Sequence, residues 1–195
     1  MLLETIQKFN WVDILSVVIM LRALYVGLKR GFIDEVLHLL AVVLAIFGIF
    51  QYTPFCVHFL EKRIFFKSQI AQSVTFISLW ALIALLAKFI RDAFHLLFKV
   101  EAKSFIDKAG GVAVGVVRGL LVCSLTLWFL IATGNEYIAR TINSAYTSAR
   151  VVKLAPDVYR GIFDIAVSKY FPDERMNQDV FAHTEGPSAP IQKQK

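Results

Sequence analysis

The sequence predicts an all-α membrane protein with about four transmembrane helices, additional amphipathic interfacial helices and a disordered C-terminal tail. Three observations carry that expectation. The composition is 57% hydrophobic and only 18% charged, against roughly 45–50% and about 25% in soluble domains. Four apolar stretches, near 11–28, 32–50, 70–90 and 110–132, each approach the length a helix needs to cross a hydrocarbon core of about 30 Å. The cations stand at the ends of those stretches, where topology determinants and headgroup anchors belong, and form no basic stripe interleaved with aromatics. The net charge of +6 is therefore read as a lipid-bilayer signature, and no nucleic-acid partner is expected.

Residues 1–10 are a short polar lead. Trp11 suits one interface at the start of the first span, and Lys29-Arg30 suits the other at its end. This run contains Asp13 and Arg22 and shows no small-residue cleavage site, so it reads as a retained span and not as a signal peptide. Only Lys29, Arg30 and Gly31 separate it from Phe32, which predicts a tight antiparallel hairpin of the first two spans, with Gly27 and Gly31 permitting close approach. Asp34 and Glu35 fall in the first turn of the second span, where the positive helix end favours carboxylates.

Residues 51–69 mix Tyr52, Phe55, Phe59, Phe65 and Phe66 with Glu61-Lys62-Arg63, a composition suited to a loop at headgroup level. In the third span, Gln72, Thr75 and Ser78 share a face and are expected to hydrogen-bond to a neighbouring helix. An amphipathic helix follows at about 91–104, and two more are read at about 136–150 and 157–170, interrupted by Pro156 and lying in the interface. Residues 1–171 thus form the membrane domain, and the polar segment 172–195 is expected to be disordered.

The stretch Phe105–Ala132 carries the most information. Gly111, Gly115 and Gly119 repeat the small-xxx-small spacing, a surface for close helix packing against another span, a membrane protein partner or a second copy in a homo-oligomer. Four spans alternate in direction, so Arg22, Arg30, Asp34, Glu35, Asp107 and Arg118 collect towards one membrane face. Arg118, several residues inside its span, either snorkels to the interface or pairs in the bundle with Asp34, Glu35 or Asp107. Nine Lys and Arg residues lie near span ends on this face against about six on the other. The positive-inside rule then places that face in the cytoplasm and both termini outside.

Catalytic patterns are missing: there is no phosphate-binding loop, HExxH, nucleophile elbow or dinucleotide fingerprint. Glu35-x-x-His38 is half of a di-iron bundle motif, but the second half and the extra glutamates are missing. His38 is instead expected to bond to Asp34, one turn back. Cys56 and Cys123 form no CxxC. No metal site, no cofactor and no enzymatic activity are expected.

Trp11-Val12-Asp13, the Lys29-Arg30-Gly31-Phe32 turn with Glu35, Asp107-Lys108 followed by Gly111, Gly115 and Arg118-Gly119, and the Ser148–Pro156 region together give the chain a recognisable pattern. It resembles the colicin V production protein (CvpA) family of bacterial inner-membrane proteins over about residues 10–165. That resemblance implies a multi-pass inner-membrane protein tied to toxin production or export and envelope homeostasis, with no established reaction. Arg22 and the polar extension after Phe171 depart from the family pattern. A small transporter or channel, its path lined by the charged cluster, is the alternative reading.

Overall fold

The computed structural model describes residues 10–63, 68–97, 105–145, 147–171 and 174–182, and their regular structure is entirely helical. Four long helices, α1 (Trp11–Arg30), α2 (Phe32–Arg63), α3 (Ser68–Leu97) and α4 (Phe105–Ala132), are followed by short ones. These are α5 (Glu136–Ser144), α6 (Ser148–Val151), α7 (Leu154–Ile162), a π-helical stretch Phe163–Val167, α8 (Ser168–Tyr170) and α9 (Asp179–Ala182).

α1, the Phe32–Phe59 part of α2 and the Asp107–Ala132 part of α4 are long and apolar enough to cross a membrane. α3 has 30 residues, but its described apolar stretch is only Ser73–Leu86. Among the described residues, three helices therefore meet the requirement where the sequence suggested about four. Outward positions such as Ile14, Val18, Leu21, Leu40, Leu44, Leu85 and Phe89 are exposed apolar side chains, a surface suited to lipid.

The first two helices do not pack along their length as a hairpin. α1 lies against α4, α4 against α2, and α2 against α3, while α1 and α2 make little contact with each other. The reason is steric. Ala23 and Gly27 present a small face on α1, and Gly111, Gly115 and Gly119 present one on α4. A Cβ built on Gly27 would stand 2.8 Å from the Gly111 carbonyl oxygen, and one on Gly111 would stand 2.8 Å from that of Gly27. Two backbones this close leave no room for a side chain between them, and no helix with bulky facing residues could replace either.

α2 continues through the region expected to be a loop. Pro54 lies inside it and cannot donate to the carbonyl four residues back. That carbonyl, of Phe50, instead accepts a hydrogen bond from Asn177 Nδ2 at 2.7 Å. A side chain from the distant C-terminal segment thus replaces the missing backbone donor, and the helix runs on to Arg63. In α3, Thr75 is buried and its hydroxyl has no hydrogen-bond partner among the described residues, while Ser78 is exposed. Among the described residues these two side chains make no cross-helix bond, and the Gln72 side chain lies outside the described residues. The helical region expected at 91–104 is described as far as Leu97, as a continuation of α3.

The C-terminal helices bury part of their apolar faces against the long helices. Ile142, Val152, Ala155 and Tyr159 are buried with Ile46, Phe50, Leu125, Leu127 and Trp128 in one core at the far end of the bundle from the α1–α2 turn. Tyr137, Ile165 and Tyr170 of the same helices remain exposed. The expectation of disorder from residue 172 also fails over 174–182. The Trp128 indole donates to the Val180 carbonyl at 3.0 Å, Gln51 Nε2 donates to Glu174 at 3.0 Å, and the Asn177 N–H donates to the Tyr159 hydroxyl at 3.0 Å. Residues 183–195 lie outside the described residues.

Candidate functional site

The charged residues of the sequence meet where α1 turns into α2. Gly31 ends α1 with φ 82°, a left-handed conformation that favours glycine. The chain re-enters a helix at once, so α2 begins with orphan N–H groups. Asp107, reaching from α4, accepts the Phe32 N–H at 2.9 Å. It acts as an N-cap supplied by another helix, where carboxylate charge and helix dipole reinforce one another. A Cβ on Gly31 would collide with the same carboxylate, so Gly31 is required both by its backbone conformation and by its neighbour.

One turn into α2, Glu35 is fully buried, and its Oε2 lies 2.8 Å from Arg118 Nε, whose side chain is 15% exposed. The register of α4 explains the meeting. Its glycine face is turned to α1, and Arg118 stands beside that face, towards α2. Gly115 lies under the junction, where a Cβ would be 3.2 Å from the Ala23 carbonyl oxygen and 3.8 Å from Glu35 Oε2. A buried pair of this kind contributes little net stability over an apolar pair, yet losing one partner is costly because the other charge is then stranded.

Around it, the Arg30 guanidinium donates to His38 Nε2 at 2.8 Å. An arginine has no acceptor, so Nε2 carries no proton and Nδ1 is the N–H that donates to the Asp34 carbonyl at 2.6 Å. His38 therefore bonds to the backbone of Asp34. Among the described residues no three His, Cys, Asp or Glu side chains stand together as a metal site, and the half-motif Glu35-x-x-His38 joins Arg118 and Arg30 instead. Arg22 lies on the neighbouring, outward side of α1. It is exposed, because the face of α1 turned to α4 is the small one containing Ala23 and Gly27, and Arg22 stands one residue off that face.

The profile of the colicin V production protein family matches residues 12–156. The chain belongs to the colicin V production protein family. No curated protein and no solved structure matches it. The family segment contains the whole charged junction and the glycine face of α4, and it ends before Tyr159 and the docked segment 174–182.

Within the family segment lies a second polar cluster, at the opposite end of α1, which joins the Trp11-Val12-Asp13 stretch to the Ser148–Pro156 region. Asp13, 2% exposed, accepts the Asn10 N–H at 3.3 Å and the Ser148 hydroxyl at 2.8 Å. Ser16 donates to the Val12 carbonyl at 2.9 Å and lies 3.4 Å from the Ser148 hydroxyl. Deeper in α4, Ser124 donates to the Val152 carbonyl at 3.1 Å and accepts the Ala155 N–H at 2.8 Å. The turn between α6 and α7 thus enters the bundle with its backbone groups satisfied by side chains of the long helices, as irregular backbone in an apolar setting requires. In the sequence both stretches stood out only as parts of the family-like pattern, and Asp13 also lies three residues after Asn10 in capping-box spacing. Ser148 carries no local signature, since its partner is more than a hundred residues away.

Tyr159 completes this end. Its hydroxyl donates to Gln51 Oε1 at 2.6 Å and accepts from Asn177. Burial pushes its phenol above the ordinary value, the nearby Glu174 charge adds to that, and the Asn177 N–H opposes it.

Proposed function

We propose that this chain is an accessory component of the bacterial inner membrane that supports colicin V production or export and envelope homeostasis by binding another membrane protein, and that it is not an enzyme. The family membership supports the first part. The observation that carries the second is how the polar side chains between its helices are used: Asp107 on the α2 N-terminus, Arg118 on Glu35 and Ser148 on Asp13 each tie one helix to another. Such groups build a scaffold that leaves its outer apolar face open to a partner. The glycine face of α4 is already occupied by α1, so a partner or a second copy would be met through other faces, among them the exposed side of α1 with Ile14, Leu21 and Tyr25. The positive-inside rule orients the Arg30–Asp107 end towards the cytoplasm and both termini outside.

In-cell photocrosslinking from Leu21 should recover one reproducible membrane protein. Recovery of lipid adducts and self-adducts alone would sink the accessory reading. A second reading, a small transporter or channel, is favoured by one observation, an ion pair buried among apolar helices. Liposomes containing the folded protein are expected to show no ion or small-anion flux above empty liposomes, and clear flux would move the assignment to transport.

A further inference from the structure

A groove of about 620 Å³ runs between α2, α3 and α4. At one end its wall contains His38, Lys88 and Arg118, and at the other Tyr52 and Trp80; between them the lining is aliphatic. Leu37 and Tyr52 bound it along α2, and at 1.5 Å per residue they are roughly 22 Å apart. That is longer than one leaflet of hydrocarbon, about half of a 30 Å core. The charge along the groove is one-sided: two permanent cations and no carboxylate line it among the described residues. Arg118 pairs with Glu35 through a 2.8 Å ion pair and still lines the groove. Lys88 is exposed and has no ion-pair partner among the described residues.

We propose that this groove is a binding site for an anionic phospholipid, one acyl chain lying along α2 and α3 and the phosphate meeting Lys88 and Arg118. Each alternative occupant leaves part of the groove unexplained. A free anion has no use for some 20 Å of aliphatic wall, a transmembrane helix of a partner has no use for two cations at its end, and a zwitterionic lipid brings no net charge to them. The inference needs only that the helices lie in a bilayer and is independent of the accessory reading.

Trp80 is a reporter inside the groove, 46% exposed, whereas Trp128 is 4% exposed and Trp11 lies on α1. The full chain carrying Trp11→Phe is reconstituted in phosphatidylcholine vesicles containing a minority of phosphatidylglycerol, with bromine on the acyl chains of one lipid or the other. At equal mole fraction, brominated phosphatidylglycerol should quench Trp80 more strongly than brominated phosphatidylcholine. Lys88→Gln, at an exposed position that leaves the fold intact, should reduce that preference about fivefold, the effect expected of one cation near an anionic surface. Ala84→Ile, which narrows the groove, should reduce quenching by both lipids. Equal quenching by the two lipids, or a preference that Lys88→Gln leaves unchanged, would mean ordinary boundary lipid and overturn the proposal. A Trp80 that neither lipid quenches would mean that protein covers the groove, a second copy or a partner, and would overturn it as well.

Discussion

Arg118 and Glu35 illustrate how much of this protein rests on single polar contacts in apolar surroundings. Arg118→Leu strands a fully buried carboxylate and should destabilise the fold by about 3–5 kcal/mol, whereas Glu35→Leu combined with Arg118→Leu should be near neutral. Heating the three proteins in detergent and following the folded fraction checks this, and a single variant as stable as the parent would refute it. Asn177 stands in a comparable position, since it supplies the donor that Pro54 lacks. Asn177→Ala should cost about 1–3 kcal/mol by orphaning the Phe50 carbonyl. In a Pro54→Ala background, which restores a backbone N–H, the same change should cost much less, and a double-mutant cycle with no coupling would disprove the substitution of one donor for the other. Tyr159 adds a pH dependence. Its phenol is raised in the fold, so its contribution to stability is full below the unfolded value of about 10 and is lost as pH rises through the folded one. Trp128 emission should shift as the docked segment leaves above about pH 10, and Tyr159→Phe should remove that transition.

At the scale of elements, the contact between α1 and α4 has the least tolerance. Gly111→Ala would bring a Cβ to 2.8 Å of the Gly27 carbonyl oxygen and 2.9 Å of the Gly31 carbonyl carbon, both backbone atoms. The helices must separate, and the expected loss is about 1–3 kcal/mol. Gly161, where an added methyl would meet nothing within 4 Å, is the control: Gly161→Ala should stabilise α7 by about 0.5–1 kcal/mol through propensity alone. Equal thermal shifts for the two variants would show that the glycine face has no packing role. The spacing of Gly111, Gly115 and Gly119 made the face legible in the sequence, because small residues four apart share one side of a helix. Its partner was not legible, because the same spacing suits α1, α2 or a second copy equally.

For the whole molecule, the three long apolar helices and the family membership make this a membrane protein, and its two ends are chemically different. One is the charged junction at Gly31, and the other is the aromatic and serine-rich end under α5 to α9. Single cysteines at Lys29 and Asn135, both exposed, mark these ends in a chain with Cys56→Ser and Cys123→Ser. With an impermeant thiol reagent on intact cells, Asn135→Cys should label and Lys29→Cys should not. The reverse pattern would invert the proposed orientation.

Sequence alone determined the helical membrane class, the Gly31 turn and the glycine face, because apolar length, charge at span ends and four-residue spacing are local properties of the chain. For Arg118 it left two readings open, snorkelling to the interface or pairing with a carboxylate such as Asp34, Glu35 or Asp107. Tertiary structure decided that the partner is Glu35, that Asp107 caps α2 and that α4 separates α1 from α2. It also decided that the segment 174–182 folds back to satisfy the carbonyl freed by Pro54. Each of these joins residues far apart in the chain, and what selects them is which helix faces can approach closely enough and which buried polar atoms would otherwise be left without a partner.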